Sequence, residues 1–259
     1  MSDEISISMI RDNPLYIRHV ENPSLEMQKA ALKKNGTVIQ YIKNPTKEIM
    51  EQAIKSNPLA IQYIENPPED IAELSLKGNW NALRYIKEPS ERVLKAAVMS
   101  KGWAIQFINN PSEELQLLAV KKDYDAIKYI KEPYESVELE AIKKYWGAIR
   151  YINNPTNKAK NEAIKQNAEA ILYISSYQEE DIRDFIKINI NVLKYLYESL
   201  DINLVVEVLE EKVKEENIDW QYIRDYMELE ILEMDKPAFI REFGSKEAKK
   251  ALVDYKLSI

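Results

Sequence analysis

Prolines at 23, 45, 67, 89, 111, 133 and 155 stand 22 residues apart without a slip. A beat this regular marks a tandem repeat, and a period of this length predicts a solenoid in which each unit buries its apolar face only against its neighbours. A string close to P-[ST]-x-E-[IVL]-x-x-x-A-[IV]-K-x-N-x-x-A-I-x-Y-I-x-N fits nine copies from the first residue to about Glu198. The expected fold class is all-α: a right-handed α-solenoid of two-helix, 22-residue repeats over 1–198, followed by a degenerate acidic helical cap over 199–259. Nine hairpins spaced by roughly 8 to 10 Å would make an array on the order of 80 Å long.

One copy, Pro111 to Glu132, shows the logic. Numbered from the proline, apolar residues at positions 5, 9 and 10 (Leu115, Ala119, Val120) and at 16, 17 and 20 (Ala126, Ile127, Ile130) have helical spacing, so each repeat reads as a helical hairpin. Proline at position 1 presets φ for a first helical turn. Either the Asn before it (22, 44, 66, 110, 154) or the Ser/Thr after it (24, 46, 90, 112, 156) would cap the first helix. Acidic residues in the first turn and Lys at position 11 suit the helix dipole. Asn at position 13 (13, 35, 57, 79, 167, 189) has a turn role, as a left-handed C-terminal cap or as a cap of the next helix. Alanine at position 16 predicts close backbones between the second helices. Beyond Glu198, helices are expected over 201–216, 218–234, 237–243 and 245–257, with Asp201 an N-cap and Gly244 a stop.

Segments such as Asn57 to Asn66 and Asn110 to Val120 resemble HEAT-type helical-hairpin repeats, and still more the poorly characterised tandem repeats of bacterial, phage and giant-virus proteins. The resemblance implies an α-solenoid and, more loosely, a phage or other mobile element as source. It implies no catalytic residues.

Composition narrows the function. There is no cysteine and only one histidine, His19, and the chain has no phosphate-binding, nucleophile-elbow or metal-ligand motif, so no enzyme, cofactor or metal is expected. No apolar run is long enough to span a bilayer, and the N-terminal stretch lacks signal-peptide character, which places the chain in a cytoplasm. The net charge of −7 is gathered in residues 178–259, with 12 Lys+Arg against 20 Asp+Glu. That imbalance disfavours nucleic acid there.

Functional candidates lie in three columns. Position 19 is His19, Tyr41, Tyr63, Tyr85, Phe107, Tyr129, Tyr151, Tyr173 and Tyr195, read as packing between repeats or as a stacking ladder. Position 18, with Arg18, Arg84, Lys128, Arg150 and Lys194 among glutamines and Leu172, is a basic-to-polar face for an acidic peptide or phosphate, or a solvated face. Positions 14 and 15 place Trp80, Trp103, Tyr124 and Trp146 in four successive copies, either as an interface hot spot or as inter-repeat packing. The expected function is a non-enzymatic scaffold binding a protein partner through Trp80, Trp103, Tyr124, Trp146, Arg84, Lys128 and Arg150. Combined with the resemblance, that suggests a phage-encoded inhibitor or adaptor that occupies a host target. The alternatives are a nucleic-acid or nucleotide binder using positions 18 and 19, and a self-assembling structural protein.

Overall fold

The computed structural model describes residues 3–258, with side chains from Ile7 onward; Met1 and Ser2, read above as opening the first copy, and Ile259 lie outside the described residues. Regular structure among the described residues is helical throughout, with no strand. The chain divides into two compact units, Met1–Glu132 and Pro133–Ile259.

The first unit repeats one element pair. Its α-helices are α1 (Asp3–Asp12), α2 (Leu25–Lys34), α3 (Lys47–Ser56), α4 (Glu69–Gly78), α5 (Glu91–Ser100) and α6 (Glu113–Lys122). Each is followed by a 3-10 helix, namely Pro14–His19, Gly36–Tyr41, Pro58–Tyr63, Trp80–Tyr85, Gly102–Phe107 and Tyr124–Tyr129. Successive α-helices pack on one another and on the 3-10 helix of the repeat before. This is the solenoid arrangement that the period predicts.

In the second unit, α7 (Glu135–Lys144) and α8 (Asn157–Gln166) keep the pattern, with 3-10 helices Trp146–Tyr151 and Ala168–Tyr173. After α9 (Glu179–Ile188) the 3-10 helix Ile190–Val192 runs into the single turn α10 (Leu193–Leu196). Helices α11 (Ile202–Val213), α12 (Trp220–Glu228), α13 (Lys236–Phe243) and α14 (Lys246–Ser258) complete the unit.

The second segment of the first eight repeats is thus a 3-10 helix, where the spacing of positions 16, 17 and 20 suggested an α-helix. Its length is the reason. Over only six residues, i→i+3 bonding recovers more backbone bonds than i→i+4 bonding would. Position 13 sets up the change. The Asn57 backbone N–H donates to the Ala53 carbonyl at 2.8 Å and closes α3, while its Oδ1 accepts from the Leu59 N–H at 3.0 Å and opens the next helix. Asn13, Asn35, Asn79, Asn167 and Asn189 cap in the same way. Their φ values, from −131° to −158°, are extended, so the left-handed option for this position is not the one taken.

Left-handed backbone occurs instead before four of the repeat prolines. Asn44, Asn66, Glu88 and Asn110 have φ of 49°, 46°, 48° and 48°. The Ser/Thr after the proline is the N-cap of the α-helix: Ser24 Oγ accepts from Met27 N–H at 3.3 Å, and Thr46, Ser90, Ser112 and Thr156 repeat the bond. The proline therefore precedes the cap instead of occupying the first helical turn.

Small residues at position 9 let neighbouring repeats close up. Ala31, Ala53, Ser75, Ala97, Ala119, Ala141 and Ala163 are all 0% exposed, as are Ala60, Ala82, Ala104, Ala126, Ala148 and Ala170 at position 16. The Ser75 hydroxyl donates to the Pro58 carbonyl of the preceding repeat at 2.7 Å. At Gly102 a Cβ would stand 2.4 Å from the Ala119 carbonyl oxygen, so that approach admits only glycine. In that repeat Lys101 replaces the capping Asn, and the cap comes from the next repeat: Asp123 Oδ2 accepts from Gly102 N–H at 2.7 Å, and Oδ1 from Lys101 Nζ at 2.7 Å.

The expected helix over 218–234 ends instead at Glu228. Lys236, from the start of α13, is buried with its Nζ donating to the carbonyls of Met227 at 3.3 Å and of Leu229. Burial lowers its pKa. Asp201 caps α11 as expected, accepting from Asn203 N–H at 2.9 Å, and Gly244 ends α13 in an extended conformation.

Three variants check these assignments. Glu88 is exposed and pays the left-handed strain that Asn bears more easily, so Glu88→Asn raises stability by about 0.5–1 kcal/mol in urea unfolding. Burial pushes the Asp123 carboxyl up, but the Lys101 ammonium and the Gly102 N–H together hold it below the usual range. Its contribution is present above the unfolded value of about 3.9 and disappears as pH falls through the lower folded value. Asp123→Asn should cost about 1–3 kcal/mol at pH 7 and less at pH 3. Glu138, buried beside Thr156, has the opposite sign: desolvation raises its pKa despite the Thr156 N–H and Oγ1 bonds at 3.0 and 2.8 Å. Its favourable contribution is present below the unfolded value and is lost as pH rises through the raised one. Glu138→Gln keeps an acceptor for Thr156, so it gains stability at pH 7 relative to wild type, and the gain shrinks in melts at pH 4.

Candidate functional site

The two helix rows treat charge differently. Along the α-helices, cations pair with carboxylates of the adjacent repeat. In the first unit Arg11 meets Glu26 at 3.6 Å, Lys29 meets Glu48 at 2.5 Å, Lys47 meets Asp70, Arg92 meets Glu73 at 2.5 Å, and Lys95 meets Glu114 at 2.8 Å. In the second unit Lys158 pairs with Glu135 at 2.7 Å, Arg183 with Glu207 at 2.8 Å, and Lys187 with Glu211 at 2.7 Å. These pairs are largely exposed and individually weak, and they occupy part of the charge of that row.

On the 3-10 helices, the position-18 cations Arg84, Lys128 and Arg150 lie over rings. In the first unit the Arg84 guanidinium carbon is 5.6 Å from the Phe107 ring centre and 5.7 Å from that of Tyr85. Trp80 stacks on the same Phe107 ring at 5.9 Å and 26°. A second cluster surrounds Trp103. Lys101 Nζ and Lys128 Nζ are 4.5 and 4.4 Å from its ring centre, Tyr129 meets it edge-on at 6.2 Å, and its Nε1–H donates to Asp125 Oδ1 at 2.7 Å. Lys128 Nζ also donates to Asp125 Oδ2 at 3.2 Å. Desolvation would lower the Lys128 pKa, but Asp125 keeps it above the ordinary value. In the second unit Arg150 lies 4.6 Å over Tyr173, against which Trp146 packs at 6.2 Å, with Tyr145 5.7 Å from Trp146.

The sequence candidates therefore gather as Trp80 with Arg84, Trp103 with Lys128, and Trp146 with Arg150. Tyr124 is 37% exposed. Each tryptophan covers the position-19 ring of the next repeat: Phe107, Tyr129 and Tyr173 are half-buried, whereas Tyr41, Tyr63 and Tyr85 are 38–41% exposed. Inter-repeat packing and an aromatic surface are thus the same arrangement. Position 18 also has a local role. Gln40, Gln62, Gln106 and Arg150 donate to the position-15 carbonyls of Thr37, Leu59, Trp103 and Gly147, covering acceptors near the end of the 3-10 helix.

Sequence reasoning missed Lys101 and Asp125. Their signal was a departure from the repeat: Lys in place of Asn at position 13, with Gly at 14 and Trp moved to 15. Arg84 and Arg150 make no ion pair among the described residues, whereas Lys128 is neutralised by Asp125. The arrangement offers guanidinium N–H groups backed by rings, suited to a carboxylate or to another planar group. Among the described residues no cluster of His, Asp and Glu side chains could hold a metal ion, and no helix is long and apolar enough to cross a membrane.

A family described as a domain of unknown function (DUF4116) matches residues 24–67, a stretch two repeat periods long. No curated protein and no solved structure matches the chain. The chain is thus similar to that family over α2, α3 and their 3-10 helices, and the family's description carries no activity.

Proposed function

We propose that the chain is a non-enzymatic helical-repeat scaffold that binds a protein partner through the 3-10 helix faces, with Trp80, Trp103, Tyr124 and Trp146 as apolar anchors and Arg84, Lys128 and Arg150 as polar contacts. One contrast carries the reading. Many cations of the α-helix row form ion pairs with the neighbouring repeat, while Arg84 and Arg150 sit over aromatic rings with no carboxylate partner among the described residues. Arg, Trp and Tyr on half-exposed, pre-packed positions are the residues that dominate interface energetics. The partner surface that complements them is acidic. The resemblance of the repeat to phage and giant-virus sequences adds the form of the activity: an inhibitor or adaptor in a host cytoplasm that acts by occupying its target.

The test is capture from host lysate by the wild-type chain, by Arg84→Ala/Arg150→Ala and by Trp80→Ala/Trp146→Ala, each with and without nuclease and each checked for helicity by circular dichroism. A protein held by wild type in the presence of nuclease, with affinity falling about 30-fold or more in both variants, is the expected result. Capture indifferent to the arginines, or abolished by nuclease, would move the function to another face or to nucleic acid.

A further inference from the structure

The second unit contains a polar cleft that the reading above does not use. It encloses about 380 Å³ beside the last copies of the repeat, lined among others by Asn167, Asn191, Lys194, Tyr195, Asp225 and Glu228. The volume is within the range of small-molecule sites.

The cleft arises where the repeat pattern fails. Asn191, Lys194 and Tyr195 occupy positions 15, 18 and 19 of the ninth copy, on the 3-10 helix Ile190–Val192 and on α10. In the copies of Trp80, Trp103 and Trp146 the corresponding face is covered by a ring of the next repeat. Here the following element is α12, whose Tyr222 turns inward and donates to the Ile186 carbonyl at 2.9 Å. Asp225 and Glu228, further along α12, line the cleft.

The charges in the cleft are unusual in their pairing. Lys194 is exposed and makes no ion pair among the described residues. The Asp225 carboxylate is held at both oxygens by carboxamides, Asn191 Nδ2 donating to Oδ2 at 3.1 Å and Gln221 Nε2 to Oδ1 at 2.8 Å, but it makes no ion pair among the described residues. Glu228 Oε1 accepts from Arg224 Nε at 2.9 Å, leaving Oε2. Asn167 uses Oδ1 to cap Glu169 N–H at 2.9 Å, so its amide protons remain for a ligand. An ammonium and two carboxylates thus line one cavity without meeting. A ligand of opposite polarity at its two ends satisfies both, and the fixed carboxamides orient it.

We propose that this cleft binds a small zwitterion of the α-amino-acid or short-peptide class, its carboxylate at Lys194 and Asn167 and its ammonium at Asp225 and Glu228, with Tyr195 against its side chain. The proposal is independent of the protein-binding face.

Calorimetric titration of the full chain with each of the twenty free amino acids and with triglycine tests it; free amino acids and peptides are separated by which probes bind. At least one probe should bind saturably at one site. Its affinity should fall about 10-fold or more on acetylation of its amino group and in Asp225→Asn, and equally on amidation of its carboxyl group and in Lys194→Met. Lys194 is exposed and unpaired, so Lys194→Met leaves the fold intact and its loss of binding reads the site itself. No saturation by any probe up to about 5 mM, or binding unchanged in Lys194→Met, would overturn the proposal.

Discussion

One asparagine side chain organises six of the nine repeats. At position 13 the backbone N–H finishes an α-helix and the side-chain oxygen starts a 3-10 helix two residues later, so a single extended residue serves as C-cap and N-cap. Everything downstream inherits its direction. The 3-10 segment it opens buries positions 16 and 17, turns position 18 outward and leaves position 19 half-covered. The small residue at position 9, which accepts the N–H of position 13, also lets the previous repeat approach the helix end. Packing and capping converge on the same backbone carbonyl.

This geometry separates two kinds of cation. Many of those on the α-helices lie within reach of carboxylates one repeat away and form ion pairs between neighbours, screened by solvent and salt. Those on the 3-10 helices project where few carboxylates follow, and they settle over aromatic rings instead. A guanidinium over a ring keeps its N–H edge available, which is why the second row and not the first is the candidate surface. Asp125 is the exception, and around it Lys128 and Trp103 are satisfied within the protein.

The repeat length, the buried columns and the α-helix starts were legible because proline, serine or threonine, and alanine recur for local reasons that a sequence displays. The kind of the second helix was not, since an apolar pattern at positions 16, 17 and 20 suits 3.6 or 3.0 residues per turn equally. Nor was the early end of α12, whose last carbonyls are taken by a lysine from the next helix. The asparagines before the prolines suggest caps, whereas Asn44, Asn66 and Asn110 supply left-handed backbone there. For the candidate site, the sequence offered the tryptophans and the arginines separately. Only the three-dimensional arrangement pairs them, because the ring beneath Arg84 or Arg150 comes from the following repeat. The cleft beside α12 has no signature at all in the period, since it exists where the period ends.

The exchange at Lys101 and Asp123 has a consequence for how such an array can change its length. Where each repeat carries its own Asn, a copy can be lost or duplicated in whole periods and every helix start remains capped. At this joint the donor and the acceptor belong to different copies, and removal of the 22 residues from Pro111 would bring Tyr145 to the place of Asp123, stranding the Gly102 N–H and the Lys101 ammonium. Recombination between repeats is therefore tolerated unevenly along the chain, and the last two copies of the first unit are inherited as a block.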